Sequence, residues 1–284
     1  MPSDDNSAQK TFWTEATGPK WVAHQADLDL VMDSVAALVI GAAKARAGEQ
    51  VLDIGCGTGA TSLAFARIVG PAGRVLGADV SETMLARARD RQREAGLANA
   101  DFVLADAQDH AFARDAFDLI ASRFGMMFFA DSGAAFRNMA TALKPGGRMH
   151  FACWAGPEHN PFFTLPQAVA VARLGPVDPV PPEAPGPMAF RDIGRVTGLM
   201  AEAGLSGAEG RMERIDLHHP GTRDQVASVL VSVGSAGRVI IEKGGAAEDI
   251  AAIRAALAEA LRPYEAADGV RIPAGINMFS AVRT

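Results

Sequence analysis

The sequence is poor in cysteine, has no long apolar run and carries no excess of basic charge, and each absence excludes a class of protein. Cys56 and Cys153 are too few for a disulfide framework and too far apart in sequence for a metal-ligand pair, so we expect both thiols to be reduced. A membrane-spanning helix needs about 18 consecutive apolar residues, and no such stretch occurs. The opening MPSDDNSAQK carries acid before any apolar run, which is the wrong order for a secretory signal. These features predict a cytoplasmic protein that is not embedded in a membrane.

The charge balance disfavours nucleic acid and anionic lipid as partners. The formal net charge is −6 and the basic residues are scattered, so the long-range field repels polyanions. The one basic cluster comprises Arg87, Arg89, Arg91 and Arg93. Spacing of two places these side chains on different faces of a helix, among acidic neighbours. We interpret the cluster as a solvated surface.

Helical and strand patterns alternate through the first half of the chain. Leu28, Val31, Val35 and Leu38 recur at helical spacing before the first strand. The elements predicted next are strand 51–54, helix 59–69, strand 74–80, helix 82–96, strand 100–106, strand 117–122, helix 134–143 and strand 148–154. Strands and helices that alternate in this way form a parallel sheet with helices on both faces. The first half therefore predicts a doubly wound α/β domain.

The second half begins with a change of composition. Six prolines between residues 176 and 187 predict a stiff, irregular loop, because proline continues neither a helix nor a central strand. Beyond it the sequence predicts a helix that begins near Ile193 and ends at Gly204, a strand at 212–218, helices at 222–233 and 246–261, and a last strand from Gly275 onwards.

A glycine-rich loop follows the first predicted strand, in the segment VLDIGCGTGATS at 51–62. Gly55, Gly57 and Gly59 lie between strand and helix, where the backbone must pass close to a ligand. With Ala60 the loop also fits the dinucleotide fingerprint, and Asp79 follows Gly59 at the expected distance. The glycines alone therefore leave the choice between NAD and another adenosyl cofactor open.

Asp53 favours a cationic cofactor over a dinucleotide. A carboxylate at the mouth of this loop would lie near the pyrophosphate of NAD, at a helix N-terminus that is suited to negative charge. S-adenosylmethionine instead brings an ammonium and a sulfonium group, which an acidic residue attracts. The alternative is that Asp53 merely caps the turn.

The motifs DIGCGTG and GADVSETML resemble the first two motifs of class I S-adenosylmethionine-dependent methyltransferases. LADAQD (104–109), FDLIASRFGMMFF (117–129) and ALKPGGRMHFACW (142–154) resemble the later motifs in the same order. Within that superfamily the sequence is most similar to the group related to ubiquinone and menaquinone C-methyltransferases. The resemblance covers residues 12–155 and implies a Rossmann-like, seven-stranded sheet with a C-terminal strand and a helical cap.

The resemblance also implies a set of cofactor contacts. Asp79 would bind the ribose hydroxyls, Val80 and Met84 would pack on the adenine, and Asp106 would accept a hydrogen bond from its exocyclic amine. Arg123 follows the fourth strand, where open α/β sheets build their ligand crevice. The complete expected set is Asp53, Gly55, Cys56, Gly57, Gly59, Asp79, Val80, Met84, Asp106, Ala107, Gln108 and Arg123.

Apolar and aromatic residues predict the pocket for a small-molecule acceptor. The run 124–129 is too apolar for an ordinary exposed loop, and aromatic residues also precede the first strand, where related enzymes often place a helix over the cofactor. The expected acceptor contacts are Trp21, Phe124, Met127, Trp154 and Phe162. Packing on the sheet is the alternative for these side chains.

Missing motifs narrow the chemistry further. No Asn-Pro-Pro-Tyr-like tetrad follows the fourth strand, which disfavours methylation of nucleic-acid bases, and no His, Asp and Glu cluster predicts a magnesium site. No side chain stands out as a general base. We divide the chain into an N-terminal lid with the first helix (1–45), a cofactor-binding core (46–155) and a cap with the last strands (156–284). An NAD-dependent oxidoreductase and a non-catalytic adenosyl-ligand-binding protein remain the alternatives.

Overall fold

Five parallel strands form the centre of the structure, a computed structural model that describes residues 6–284. They are β1 (Gln50–Ile54), β2 (Arg74–Asp79), β3 (Ala100–Leu104), β4 (Phe117–Arg123) and β5 (Leu143–Trp154). Their order across the sheet is β3, β2, β1, β4, β5. The chain order therefore reverses between β1 and β4, which is where a doubly wound sheet opens its ligand crevice.

Three antiparallel strands complete the sheet beside β5. They are β6 (Leu205–His219), β7 (Glu265–Ala266) and β8 (Gly269–Arg283), and β8 lies between β5 and β6. The Rossmann-like fold is confirmed, and within the described residues its sheet gains an eighth strand because the two-residue β7 pairs with the start of β8. β6 begins seven residues before the predicted strand. A bulge after Ser206 interrupts the apolar alternation of its first residues, and this part of the strand was therefore not predicted from the sequence.

The helices surround this sheet. They are α1 (Ser7–Thr11), α2 (Gly18–Ala23), α3 (Gln25–Val31), α4 (Asp33–Ala43), α5 (Ala60–Val69), α6 (Glu82–Ala95), α7 (Ser132–Ala142), α8 (Pro161–Leu174), α9 (Ile193–Glu202), α10 (Arg223–Val233), α11 (Ser235–Lys243) and α12 (Ala247–Ala260), with a π-helical turn at Phe12–Thr17. The N-cap of α6 is Ser81, whose hydroxyl accepts from the Met84 N–H as the sequence predicts. In the second half, α8 and α11 were not predicted as individual helices.

The helices of the second half divide into two groups. α8, α10, α11 and α12 pack on one another and form a cap. α9 instead packs on β6 and α7, so this part of the expected cap segment belongs to the sheet layers. The proline-rich segment 176–187 contains neither helix nor strand, as predicted. No single helix in residues 6–284 has the length and apolar character of a membrane span. Taken together, α10 and α11 have that length and composition, but the two helices are bent by 57° relative to each other.

Candidate functional site

A cavity lies over the carboxyl ends of the parallel strands. Its floor consists of the loops that follow β1, β2, β3 and β4, and Trp154 at the end of β5 adds to one wall. The N-terminal segment from Asn6 to Met32 lies over it, and the cap contributes Phe162, Phe163 and Val233. Core strands, N-terminal helices and cap therefore meet at a single cavity.

Two glycines allow the floor of the cavity to form. Gly55, directly after β1, has φ +62°, and a Cβ there would lie 2.5 Å from the Cα of Gly125. A Cβ on Gly125, after β4, would lie 2.4 Å from the carbonyl oxygen of Ile54. The two loops therefore touch backbone to backbone, which only glycine allows at both positions.

Asp79 ends β2 with its carboxylate on the cavity. Oδ2 accepts the Gly57 N–H at 2.8 Å and Oδ1 accepts the Ser81 N–H at 2.9 Å. Burial raises the pKa of this carboxyl, while these backbone hydrogen bonds lower it. Each carboxylate oxygen keeps a further lone pair, so Asp79 can hold the glycine loop and still accept from hydroxyl groups of a ligand.

Asp53 lies behind the glycine loop and does not line the cavity. It is fully buried, and its Oδ2 accepts from the hydroxyls of Thr61 at 2.7 Å and Ser62 at 2.5 Å. Burial raises the pKa of Asp53 to about 6, against the lowering effect of these hydroxyls and of Arg123. The side chain therefore ties β1 to the start of α5, and direct contact of Asp53 with a cofactor has no support in this arrangement.

Asp106 lies on the cavity at the end of β3. Its Oδ1 accepts the Gln108 N–H at 3.0 Å, and the Lys10 ammonium lies 3.1 Å from Oδ2. Gln108 itself turns away from the cavity, where its Oε1 accepts the Asp131 N–H at 2.9 Å at the start of α7. The other expected cofactor contacts on the cavity surface are Gly55, Cys56, Gly57, Val80, Met84, Ala107 and Arg123, whereas Gly59 lies outside it at the start of α5.

Arg123 places a partly buried positive charge on the cavity wall. Its guanidinium donates to the carbonyl oxygen of Met32 at 3.4 Å and forms no ion pair with any residue in the described range 6–284. Burial lowers the pKa of this group, and the carboxylates of Asp29 and Asp53 raise it. A cation in this position is suited to an anionic group of a ligand.

Asp29 connects the N-terminal helices to the glycine loop. Its Oδ2 lies 2.6 Å from Arg91 of α6 and accepts from the Gln25 amide at 2.7 Å. Arg91 also donates to the carbonyl oxygen of Thr58 at 2.8 Å. Sequence inspection missed Asp29, because its partners lie up to 62 residues away and no local pattern marks it.

Stacked aromatic rings form another wall of the cavity. Phe124 and Trp154 stack at 4.2 Å with 6° between their planes, and Trp154 stacks on Phe162 at 5.5 Å and 12°. Phe163 meets Trp154 edge to face at 4.9 Å. All five expected acceptor contacts, Trp21, Phe124, Met127, Trp154 and Phe162, line this cavity, as do Pro187 of the proline-rich loop and Val233.

The segment from Asn6 to Ala23 closes the cavity, and we refer to it as the lid. Trp13 lies at its centre, edge to face with Trp21 at 5.9 Å and with Phe128 at 5.0 Å. The Thr14 hydroxyl donates to the carbonyl oxygen of Val80 at 3.2 Å. The lid therefore contacts the ends of β2, β3 and β4, which places it over the whole cleft.

No histidine in the described part of the chain lines the cavity. His150 lies in β5, where burial lowers its pKa to about 4, so it is neutral at pH 7. His159 lies 3.6 Å from Glu158 and faces a separate surface cleft. Within residues 6–284 no group of three or more His, Cys, Asp or Glu side chains could hold a metal ion.

Sequence comparison finds a family match for part of the chain. Residues 51–147 match the family model described as a methyltransferase domain. A ubiquinone/menaquinone biosynthesis C-methyltransferase of Pseudomonas putida is 45% identical over 105 residues, which are 37% of this chain and 41% of that relative. One from Vibrio vulnificus is 40% identical over 118 residues, which are 41% of this chain and 45% of that relative. The chain thus matches less than half of the length of these two relatives.

Solved structures show the same fold over a larger part of the chain. The YcgJ protein of Bacillus subtilis has a TM-score of 0.56 at 19% identity, covering 88% of this chain and 98% of that one. A phosphoethanolamine N-methyltransferase of Haemonchus contortus, in complex with phosphomonomethylethanolamine and S-adenosylhomocysteine, has a TM-score of 0.52 at 18% identity, covering 88% of this chain and 52% of that one. At these identities the likeness establishes the Rossmann-like fold alone.

Proposed function

We propose that this chain, whose residues 51–147 match the methyltransferase-domain model, transfers a methyl group from S-adenosylmethionine to a small apolar acceptor. One observation carries the proposal: Asp79 and Asp106, at the ends of adjacent strands, face the same cavity as the glycine loop and the aromatic wall. Carboxylates at these two positions suit the donors of an adenosyl group, namely the ribose diol and the exocyclic amine.

The residues present fit S-adenosylmethionine along its whole length. Asp79 would hold the ribose, Met84 and Val80 would pack on the adenine, and Arg123 would pair with the methionine carboxylate. The partly buried Arg123 guanidinium supports this fit, because it has no ion pair within residues 6–284. When bound, the cofactor supplies a methyl group already activated by the positive sulfonium.

The chain itself supplies position and a dry site. The lid and the cap exclude water, while the stacked rings of Phe124, Trp154 and Phe162 offer a flat apolar surface to an acceptor. Aromatic faces also attract a cationic sulfonium. Catalysis then rests on holding donor and acceptor in line, without a positioned base on the cavity wall.

The acceptor class follows from the wall, not from the relatives. Trp154 and Phe162 lie outside the matched residues 51–147, so the acceptors of ubiquinone/menaquinone C-methyltransferases do not carry over to this chain. An apolar molecule with a planar face fits the stacked rings. The net charge of −6 further supports a small acceptor over nucleic acid or a lipid surface. In this proposal the described part of the segment 1–45 covers the site, residues 46–155 bind the cofactor and residues 156–284 select the acceptor.

Binding and product formation test the proposal together. Titration calorimetry should detect S-adenosylmethionine and S-adenosylhomocysteine in the micromolar range and detect no NAD. Incubation with S-adenosylmethionine and metabolite extracts should yield a product heavier by one methyl group. NAD binding would instead favour an oxidoreductase, and tight adenosyl binding without any product across chemically diverse extracts would favour a non-catalytic binding protein.

Asp79→Ala is the sharpest variant for the cofactor site. It removes charge-assisted hydrogen bonds to the ribose and should weaken adenosyl-ligand binding by about 1.5–3 kcal/mol, or roughly ten- to a hundredfold. Asp101→Ala is the matched control, because Asp101 also lies at the β2/β3 edge but its carboxylate is 60% exposed and faces Arg74. Equal affinity in the two variants would contradict the role of Asp79.

A further inference from the structure

Two amide oxygens of the lid are buried on the cavity without a hydrogen-bond donor. They are Oδ1 of Asn6 and Oε1 of Gln9, and no donor within residues 6–284 reaches either of them. Both residues line the cavity, and the side chain of Asn6 is almost completely buried, since the residue is only 4% exposed. A buried acceptor without a donor is unfavourable, so two together point to a ligand that donates.

The surroundings fix the direction in which these oxygens point. The Asn6 amide nitrogen donates to Asp106 Oδ1 at 3.4 Å, so its oxygen faces away from that carboxylate. Gln9 lies three residues later, on the same side of this short helical stretch. Asp106 itself is the residue that the proposed function assigns to adenine. The unpaired oxygens therefore lie beside the adenine end of the cavity.

We propose that Asn6 and Gln9 recognise the 6-amino group of adenine from the lid side, where they accept its second N–H while Asp106 accepts the first. The proposal rests on the proposed function, because it takes the occupant to be an adenosyl ligand. The amide oxygens of asparagine and glutamine are suited to accept from the 6-amino group of adenine, and the Asn6 nitrogen stays on Asp106. The lid would then select the base of the cofactor as well as cover it.

The same arrangement disfavours a base with a carbonyl at position 6. Such a base would direct an oxygen at the Asp106 carboxylate and at the Asn6 oxygen, and the contact with Asp106 keeps the Asn6 amide from turning. Oxygen would face oxygen at a buried site. The preference for the amino ligand should therefore depend on the lid residues and not on Asp106 alone.

The experiment compares two ligands on four proteins. Calorimetry measures S-adenosylhomocysteine and its analogue with oxygen in place of the 6-amino group, with wild type and the Asn6→Ala, Gln9→Ala and Glu15→Ala variants. Glu15 is exposed on the lid and does not line the cavity, which makes it the matched control. Any purification tag belongs at the C-terminus, because α1 begins at Ser7.

We expect the preference for the amino ligand to fall about three- to tenfold in Asn6→Ala and in Gln9→Ala, as loss of one hydrogen bond implies, and to stay unchanged in Glu15→Ala. Equal weakening of both ligands in Asn6→Ala and Gln9→Ala would overturn the proposal, since the lid would then act by packing alone, and so would an unchanged preference. Failure of wild type to bind S-adenosylhomocysteine would instead overturn the proposed function. Thermal melts of all four proteins separate these results from unfolding.

Discussion

At the scale of single residues, the carboxyl of Asp53 makes the fold sensitive to pH. Its pKa is raised by burial to about 6, so the native state holds a proton that the unfolded chain releases near pH 4. The stability that this group contributes is therefore fully present below about pH 4, and it is lost as the pH rises from there through the folded-state pKa of about 6. Asp53→Asn removes the titration. Relative to wild type, the free energy of unfolding of the variant should rise by about 1–1.5 kcal/mol between pH 5 and pH 7.5.

Urea unfolding at the two pH values measures this difference directly. The comparison between variant and wild type cancels other groups that titrate in both proteins, such as Asp79. A Thr61→Val variant serves as a control, because it removes one hydroxyl partner and leaves the carboxyl in place. A pH-independent difference between Asp53→Asn and wild type would show that Asp53 is ionised throughout.

A second residue-scale prediction concerns the absence of a histidine base. His24 and His159 lie nearest in sequence to the lid and to the end of β5, yet neither lines the cavity. A positioned general base contributes about 10²–10⁴-fold. We expect His24→Ala and His159→Ala each to lose less than about tenfold in kcat at saturating cofactor, since only packing is affected. A drop of about 10³-fold in a variant with an unchanged melting temperature would identify a missed base.

The residues that sequence reasoning missed share one property. Asn6 contacts Asp106 across 100 positions, and Asp29 contacts Arg91 across 62. Neither pair falls within a motif, so only the folded chain brings its members together. Gly55 and Asp79 could be predicted to be close because strand, glycine loop and helix form one continuous unit with fixed spacing. Asp53 fits that pattern too, but its local hydroxyl partners hold it behind the loop.

At the scale of elements, the contact between the loops after β1 and β4 leaves no room for added volume. A methyl group on Gly125 would overlap the backbone of Ile54 and Gly55. We expect Gly125→Ala to lower the free energy of unfolding by about 1–3 kcal/mol, as overpacking usually does. It should also weaken adenosyl-ligand binding, because the glycine loop must shift. Urea unfolding and calorimetry measure the two effects.

Gly198→Ala is the matched control for that substitution. Gly198 lies inside α9 and is exposed, and a Cβ on it would have no neighbouring atom within 4 Å, so the added methyl group meets open space. The change should raise stability by about 0.5–1 kcal/mol through helix propensity alone. Equal effects of the two alanine substitutions would contradict close contact between the loops.

The limits of element prediction have physical causes. The parallel core could be predicted because its strands are short apolar runs and its helices have clear periodicity. α8 escaped notice because Pro161 and Pro166 look like helix breaks, although Pro161 occupies the first helical position and Pro166 is accommodated inside the helix. α11 follows α10 after only Gly234, so no loop signal separates the two.

At the scale of the whole molecule, the core would bind the donor and the cap would select the acceptor. Phe162→Ala removes one stacked ring from the cap side of the cavity. We expect the KM for the acceptor to rise about tenfold or more, as loss of an aromatic contact and its buried area implies, with little change in the dissociation constant of S-adenosylhomocysteine. Steady-state kinetics and calorimetry measure the two constants separately.

Ile241→Ala provides the control on the same cap. Ile241 of α11 is 69% exposed and does not line the cavity, so both constants should remain as in wild type. If Phe162→Ala weakened donor and acceptor equally, the division of labour between core and cap would be wrong.

The lid also bears on the order in which molecules enter and leave. It is attached over the ends of three strands, through Lys10 at Asp106, Thr14 at Val80 and Trp13 at Phe128. Exchange of the proposed donor would require these contacts to break together, whereas an acceptor held against the cap wall would meet fewer of them. We therefore expect the spent donor to depart last. Maximal turnover would be set by the opening of the lid, so chemically different acceptors should share one limiting rate.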